Sequence, residues 1–151
     1  GNRSILANPS NSENIRIIND MIKKRDFWMP FACSIIEDEV ENYLDNTKKI
    51  KSPYMIMSFS CKRNFTKVQA GLHPRDHTIR PQIVNKIDNP KYYKLLKNFY
   101  EITNIGGILN TSFNLHGFPL VEKPEDAIEV FMKSGLKYLA IEEYLIEKKS
   151  L

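Results

Sequence analysis

The stretch Ile105-Gly106-Gly107-Ile108-Leu109-Asn110-Thr111-Ser112-Phe113-Asn114 decides the fold. Its first half is short, apolar and glycine-led, the pattern of a buried β-strand. Its second half sets two amides and two hydroxyls close together, and the chain runs on through Leu115-His116-Gly117-Phe118-Pro119. Polar groups released at the end of a buried strand are held still by the sheet, which is one way to build a binding site. Asn and Ser also turn the backbone readily, so the plainer reading of the same residues is a loop after a strand.

Helices and strands alternate on either side. Upstream, Asn89-Pro90 opens a helix from Lys91 to about Thr103, with Tyr92, Leu95, Leu96 and Phe99 on one face. Downstream, Pro124-Glu125-Asp126 starts a helix that Ser134-Gly135 stops, and residues 138–141 and 144–146 read as closing strands. Near the N-terminus, Asn11 and Ser12 are caps for a helix carrying Ile15, Ile18, Met21 and Ile22 through Lys23-Lys24. Pro30 ends it, and Phe31 to Ile36 reads as a strand leading into a short helix from Glu37 to Leu44. Tyr54 to Cys61 has the composition of a strong strand followed by a Lys62-Arg63-Asn64 loop, and Thr78 to Val84 alternates as a strand that Pro81 pushes to an edge or an irregular position. The expected class is α/β, or interleaved α+β: a single twisted, mostly mixed β-sheet with helices on it.

A chain of 151 residues, 42% hydrophobic and 26% charged, is sized for one domain with its own core. No run approaches a membrane span and no signal peptide is visible, so no membrane partner is expected. Cys33 and Cys61 are too few and too far apart for a disulfide framework or a zinc site, which points to a reduced, cytoplasmic protein. The start at Gly1, without a methionine, reads as a cut inside a longer protein. With 22 basic against 18 acidic residues the net charge is +4, and a pI of about 9.0 favours an anionic partner without choosing among phosphates, nucleic acid and acidic surfaces.

Three polar clusters carry the chemistry: Lys23-Lys24-Arg25, His73 through Arg80, and Asn110 through His116. Cations and neutral donors converging on a concave face make a phosphate site, because ammonium and guanidinium groups neutralise charge while amides and hydroxyls fix orientation. Taken alone, Lys23-Lys24-Arg25 reads first as a solvated helix end suited to the macrodipole. In Asp76-His77-Thr78-Ile79-Arg80-Pro81-Gln82, period-two spacing puts Thr78, Arg80 and Gln82 on one face, which reads as a ligand clamp or as the polar outer face of an edge strand. His73, Asp76 and His77 have the spacing of helical metal ligands, but Pro74 disfavours a helix there, so hydrogen bonding is expected and no metal site.

In order along the chain, four motifs resemble the C-terminal domain of the carbamoyltransferase family that includes nodulation and antibiotic O-carbamoyltransferases. They are residues 1–9 (GNRSILANP), 22–32 (IKKRDFWMPFA), 76–82 (DHTIRPQ) and 109–114 (LNTSFN) with Gly117 and Pro119. The resemblance implies that residues 1–151 are the second half of a two-domain enzyme, with a threonylcarbamoyl-adenylate synthase-like fold. ATP and carbamoyl phosphate would form carbamoyl adenylate there, with Mg2+ as the accompanying ion, and an N-terminal domain of the same chain would pass the carbamoyl group to an acceptor hydroxyl. By position, Lys23 and Arg25 match the family's Lys-x-Arg, Arg80 the arginine after Asp-x-Thr/Ser, and Ser112 with Asn114 the Ser-x-Asn element. The implied catalytic residues are Lys23, Arg80, Ser112 and Asn114. Arg25, Asp76, Thr78, Asn110, Thr111 and His116 complete the implied nucleotide- and substrate-binding set. Met29, Cys33, His77 and His116 stand where arginine, proline, glycine and arginine are usual.

An alternative of a different class is a non-catalytic module that binds RNA or another polyanion through the same basic surface. The cations are spread over three motifs and form no continuous basic, aromatic stripe, so nucleic acid is the less favoured partner. A third possibility is a domain inert until its missing half closes the site.

Overall fold

The computed structural model describes residues 1–24, 26 and 29–149, residues 63–65 by their backbone alone. In chain order the elements are β1 (Ser4–Ala7), α1 (Glu13–Ile18), β2 (Ala32–Ile36), α2 (Val40–Tyr43), β3 (Phe59–Ser60) and β4 (Thr78–Ile79). There follow β5 (Gln82–Val84), α3 (Pro90–Thr103), β6 (Gly107–Ser112), α4 (Pro124–Lys133), β7 (Tyr138–Ile141) and β8 (Tyr144–Glu147). Four strands form the main sheet in the order β1-β6-β2-β5. β6 is antiparallel to both its neighbours and β2 is parallel to β5, so the sheet is mixed and the class is α/β, as the alternation of elements predicts.

β6 is one of the two inner strands, with β2, and it is apolar on both faces. Ile108 packs with Tyr92 and Leu96 under α3, while Leu109 joins Ile18, Ile22, Val130 and Phe131 on the opposite face. Asn110, Thr111 and Ser112 do not turn out into a loop. Their backbones continue the ladder, with Asn110 opposite both Leu6 and Ala32 and Ser112 opposite Ser4. Pairing with β1, and at Asn110 with β2 as well, satisfies the backbone more completely than a loop does, which overrides the turn preference of these residues.

Local signals set the helix ends. The Asn89 side chain accepts a hydrogen bond from Tyr92 N at 3.2 Å with Pro90 at the first helical position, and Asn104, at φ 56°, closes α3 in the left-handed conformation. Leu95, read as part of the apolar face of α3, is 44% exposed. At α4 the Asp126 carboxylate accepts from Glu122 N and Lys123 N, each at 3.0 Å. The Lys123 and then the Glu122 amide hold that carboxyl below its ordinary range.

α1 runs on as expected, but through a wider π-helical turn over Asn19–Lys23, and Lys24, at φ 46°, ends it. Gly135 is packed so closely on Met21 that an added Cβ would overlap the Met21 sulfur.

One expected strand is cut short, and another is divided at its proline with its second part on the edge of the main sheet. Only Phe59–Ser60 of the 54–61 run is a strand; Tyr54 is 78% and Ile56 72% exposed, and Met55 has a positive φ. Strand propensity needs a neighbouring strand and a face to bury, and β4 offers β3 two residues. Arg63 and Asn64 of the expected loop belong instead to a run of 3-10 turns over Arg63–Gly71, with Lys62 extended before it. Thr78 to Val84 is broken at the buried Pro81, which has no N–H for a ladder, so β4 pairs with β3 while β5 joins the main sheet.

Candidate functional site

Polar groups gather at one end of the main sheet, where β6 runs out beside the start of β2. Three settings meet the residues expected from the sequence. Arg25 lies outside the described residues.

The first setting is the rim of β6. Lys23, at the end of the π-helical turn, is only 4% exposed. Its Nζ donates to Ser112 O at 2.6 Å, Asn114 Oδ1 at 2.6 Å, Ser112 Oγ at 3.0 Å and Asn114 O at 3.1 Å. An ammonium has three hydrogens, so four oxygens around it make a full shell. The Ser112 hydroxyl donates to Asn114 Oδ1 at 2.7 Å and the Asn114 amide donates to Phe118 O at 2.7 Å. His116 ties the same turn down: its N donates to Ile22 O at 2.9 Å and its Nδ1 to Lys23 O at 2.7 Å. The charge of Lys23 is thus spread over the Ser112-x-Asn114 element, and Ser112 itself remains exposed.

The second setting is the interior under α3. Asn110 was expected among the ligand-binding residues, and its amide is turned inward. It donates to Ser34 Oγ at 2.9 Å, Tyr92 OH at 3.2 Å and Gln82 Oε1 at 3.3 Å. Ser34 also donates to Gln82 Oε1, at 2.9 Å. Ser34 and Asn110 are buried, and burial pushes the Tyr92 phenol up to about 12. Thr111 is buried too, one residue further and therefore on the other face of β6.

The third setting is a cleft of about 530 Å³. Met29, Pro30 and Phe31 form one wall just before β2, Ser58 and Gly71 a second, and His73, Thr78 and Arg80 the third. Arg80 is exposed, and no carboxylate is among the described lining residues, which suits an anion. Asp76 stands behind the lining. Its Oδ1 accepts from Thr78 Oγ1 at 2.8 Å and Thr78 N at 2.9 Å, and those Thr78 hydrogen bonds, backbone first, hold the carboxyl below its ordinary range. Gly71 packs on the buried Cys33: an added Cβ would lie 2.5 Å from the Cys33 sulfur. A second cavity, of about 190 Å³, is lined by Glu37, Glu41 and Asp88 together with Lys49 and Lys51.

Of the expected trio, Thr78 and Arg80 face one cleft, and Gln82, beyond the break at Pro81, joins the buried network. Lys23, Ser112, Asn114 and His116 come together as one cluster. Ser58 and His73 are additions. Ser58 was hidden in a stretch read as regular strand, and it enters the wall because β3 and β4 pair with Ser60 opposite Thr78. His73 was visible through its spacing from Asp76. Among the described residues no three His, Cys, Asp or Glu side chains group to hold a metal, and no helix is long and apolar enough to cross a membrane.

Known proteins share this sequence along its length. An uncharacterised protein of Methanocaldococcus jannaschii is 43% identical over 150 residues, 99% of this chain and 24% of the relative. The nodulation protein NolO of Bradyrhizobium diazoefficiens is 34% identical, covering 99% of this chain and 27% of that protein. The 3'-hydroxymethylcephem-O-carbamoyltransferase of Amycolatopsis lactamdurans is 28% identical over 93% of this chain and 26% of the enzyme. The chain therefore spans about a quarter of the length of these relatives. The family model described as the carbamoyltransferase C-terminus matches residues 1–148, and this chain belongs to that family.

Proposed function

We propose that this chain is the ATP- and carbamoyl-phosphate-binding part of an O-carbamoyltransferase, where carbamoyl adenylate forms for transfer to an acceptor hydroxyl by an N-terminal carbamoyl-transfer domain. The observation that carries the proposal is the Arg80 cleft, which has no carboxylate among its described lining residues. Bringing carbamoyl phosphate to ATP sets two polyanions side by side, so fixed cations must screen them and fixed donors must hold the reacting groups. Overall, carbamoyl phosphate, ATP and water give carbamoyl adenylate, phosphate and pyrophosphate.

In this reading Arg80 and Arg25 hold phosphates, and Asp76 fixes Thr78, which lines the cleft with Arg80. Lys23 acts through Ser112 and Asn114, whose oxygens enclose its ammonium. Asn110 and Thr111 serve by fixing the strand that presents Ser112. Magnesium has no protein cage among the described residues, so it would come bound to the phosphates of the nucleotide. The relative that is an O-carbamoyltransferase by name supports the reaction class.

Incubating the chain with ATP, magnesium and carbamoyl phosphate is expected to release pyrophosphate. Arg80→Ala is expected to weaken ATP binding by about tenfold or more, read by calorimetry, because a charged hydrogen-bond donor is lost. Absence of both pyrophosphate and ATP binding, with Arg80→Ala indistinguishable from wild type, sinks the proposal. A steep salt dependence of binding to structured RNA in its place supports the polyanion module.

A further inference from the structure

We propose that Ser58, opposite Arg80 across the β3–β4 pair, is a ligand-contacting residue that donates its hydroxyl hydrogen to the phosphoryl group whose charge Arg80 neutralises. The inference rests on the phosphate-binding reading of the cleft.

β3 and β4 place the two residues together. Phe59 stands opposite Ile79 and Ser60 opposite Thr78, an antiparallel register that, continued outward, sets Ser58 opposite Arg80. Residues opposite one another on paired strands send their side chains to the same face, and alternation puts Ser60 and Thr78 on that face too. The other face is apolar, with Phe59 and Ile79 buried. Ser58 and Arg80 are both exposed and both line the cleft, as the register requires.

The hydroxyls of this face differ in what they can still give. Each has a single hydrogen. That of Thr78 goes to Asp76 Oδ1 at 2.8 Å, so Thr78 offers a ligand only lone pairs, which an anionic oxygen repels. Ser60 lies outside the described lining. Ser58 Oγ makes no hydrogen bond among the described residues, and the Arg80 guanidinium has neither a hydrogen bond nor an ion pair there. Ser58 thus brings the one uncommitted hydroxyl hydrogen among the described lining residues, and brings it beside an unpaired cation. A guanidinium fork grips two phosphoryl oxygens in its own plane. A hydroxyl at its side takes the third and stops the group from turning, without adding a charge.

The test is calorimetric titration with Mg-ATP and, separately, with carbamoyl phosphate on wild type, Ser58→Ala, Ser58→Thr, Arg80→Ala and the double alanine variant. Ser58→Ala is expected to bind one or both ligands about tenfold more weakly, and Ser58→Thr, which keeps the hydroxyl, to stay within about twofold of wild type. The ligand that loses affinity names the source of the phosphoryl group. The double variant is expected to lose less than the product of the two single losses, because both side chains serve one group. The urea midpoint of Ser58→Ala is expected at the wild-type value, since the hydroxyl holds no other part of the protein. Three results overturn the inference: Ser58→Ala binding both ligands as wild type does, equal losses in Ser58→Ala and Ser58→Thr, or single losses that multiply in the double variant. In each of these, weakened binding by Arg80→Ala leaves the proposed function standing. Failure of wild type to bind either ligand removes both.

Discussion

Asn110 and Ser112 stand two residues apart on β6 and point to the same side of the sheet, yet they belong to different parts of the molecule. α3 covers the first, which closes a buried network with Ser34, Gln82 and Tyr92. The helix does not reach the second, which is exposed and held by Lys23 from the end of the π-helical turn. Side chains of similar polarity thus do different work, one fixing strands to one another and the other presenting a rim. Where the helix cover ends decides which is which.

The largest effect expected from breaking this contrast comes from Lys23→Met. Removing a buried ammonium strands the oxygens of Ser112 and Asn114, and a loss of about 3 kcal/mol in unfolding free energy by urea titration is expected. The rim is expected to loosen as well, with ATP affinity falling in the folded protein. Asn110→Ala comes next, at about 2 kcal/mol, because Ser34, Gln82 and Tyr92 lose a shared donor. Here ATP affinity per folded molecule is expected to stay at the wild-type value. A stable Asn110→Ala protein with weakened ATP binding breaks the division between interior and rim.

The smallest effect belongs to Tyr92→Phe, at about 1 kcal/mol near neutral pH. Its diagnostic is the alkaline limb. The Tyr92 phenol goes from an ordinary 10.0 to about 12 in the folded chain, so between those values the unfolded state loses its proton first and stability falls as pH rises. That part of the alkaline slope is expected to vanish in Tyr92→Phe. An unchanged slope between pH 10 and 12 places the phenol outside the network.

The contrast also marks what the sequence made legible. α3 and α4 could be read because their caps are local: Asn89-Pro90 and Asp126 act within four residues of themselves. β6 could be read because its apolar core is continuous. The run from Tyr54 could not, since a strand depends on a partner and β4 supplies two residues. Nor could the fate of Gln82: Pro81 splits its strand, and the amide finds Ser34, forty-eight residues earlier. Family motifs marked Lys23, Ser112 and Asn114, but that one ammonium gathers both of the other residues depends on the π-helical turn, which widens the end of α1 without a local signature. Asn110 was legible as polar and not as buried, because burial was decided by α3 lying over it.

The close packing of Gly71 on Cys33 has a practical consequence. The thiol lies directly beneath a wall of the cleft, fully enclosed, with burial holding its ionisation far above the ordinary range. Cys61, partly enclosed and raised to about 11, is the other free thiol among the described residues. A thiol reagent therefore meets Cys33 as a thiolate only when the wall opens, so its labelling rate is a clock for the opening of the cleft, and Cys61 provides the reference against which that clock is read.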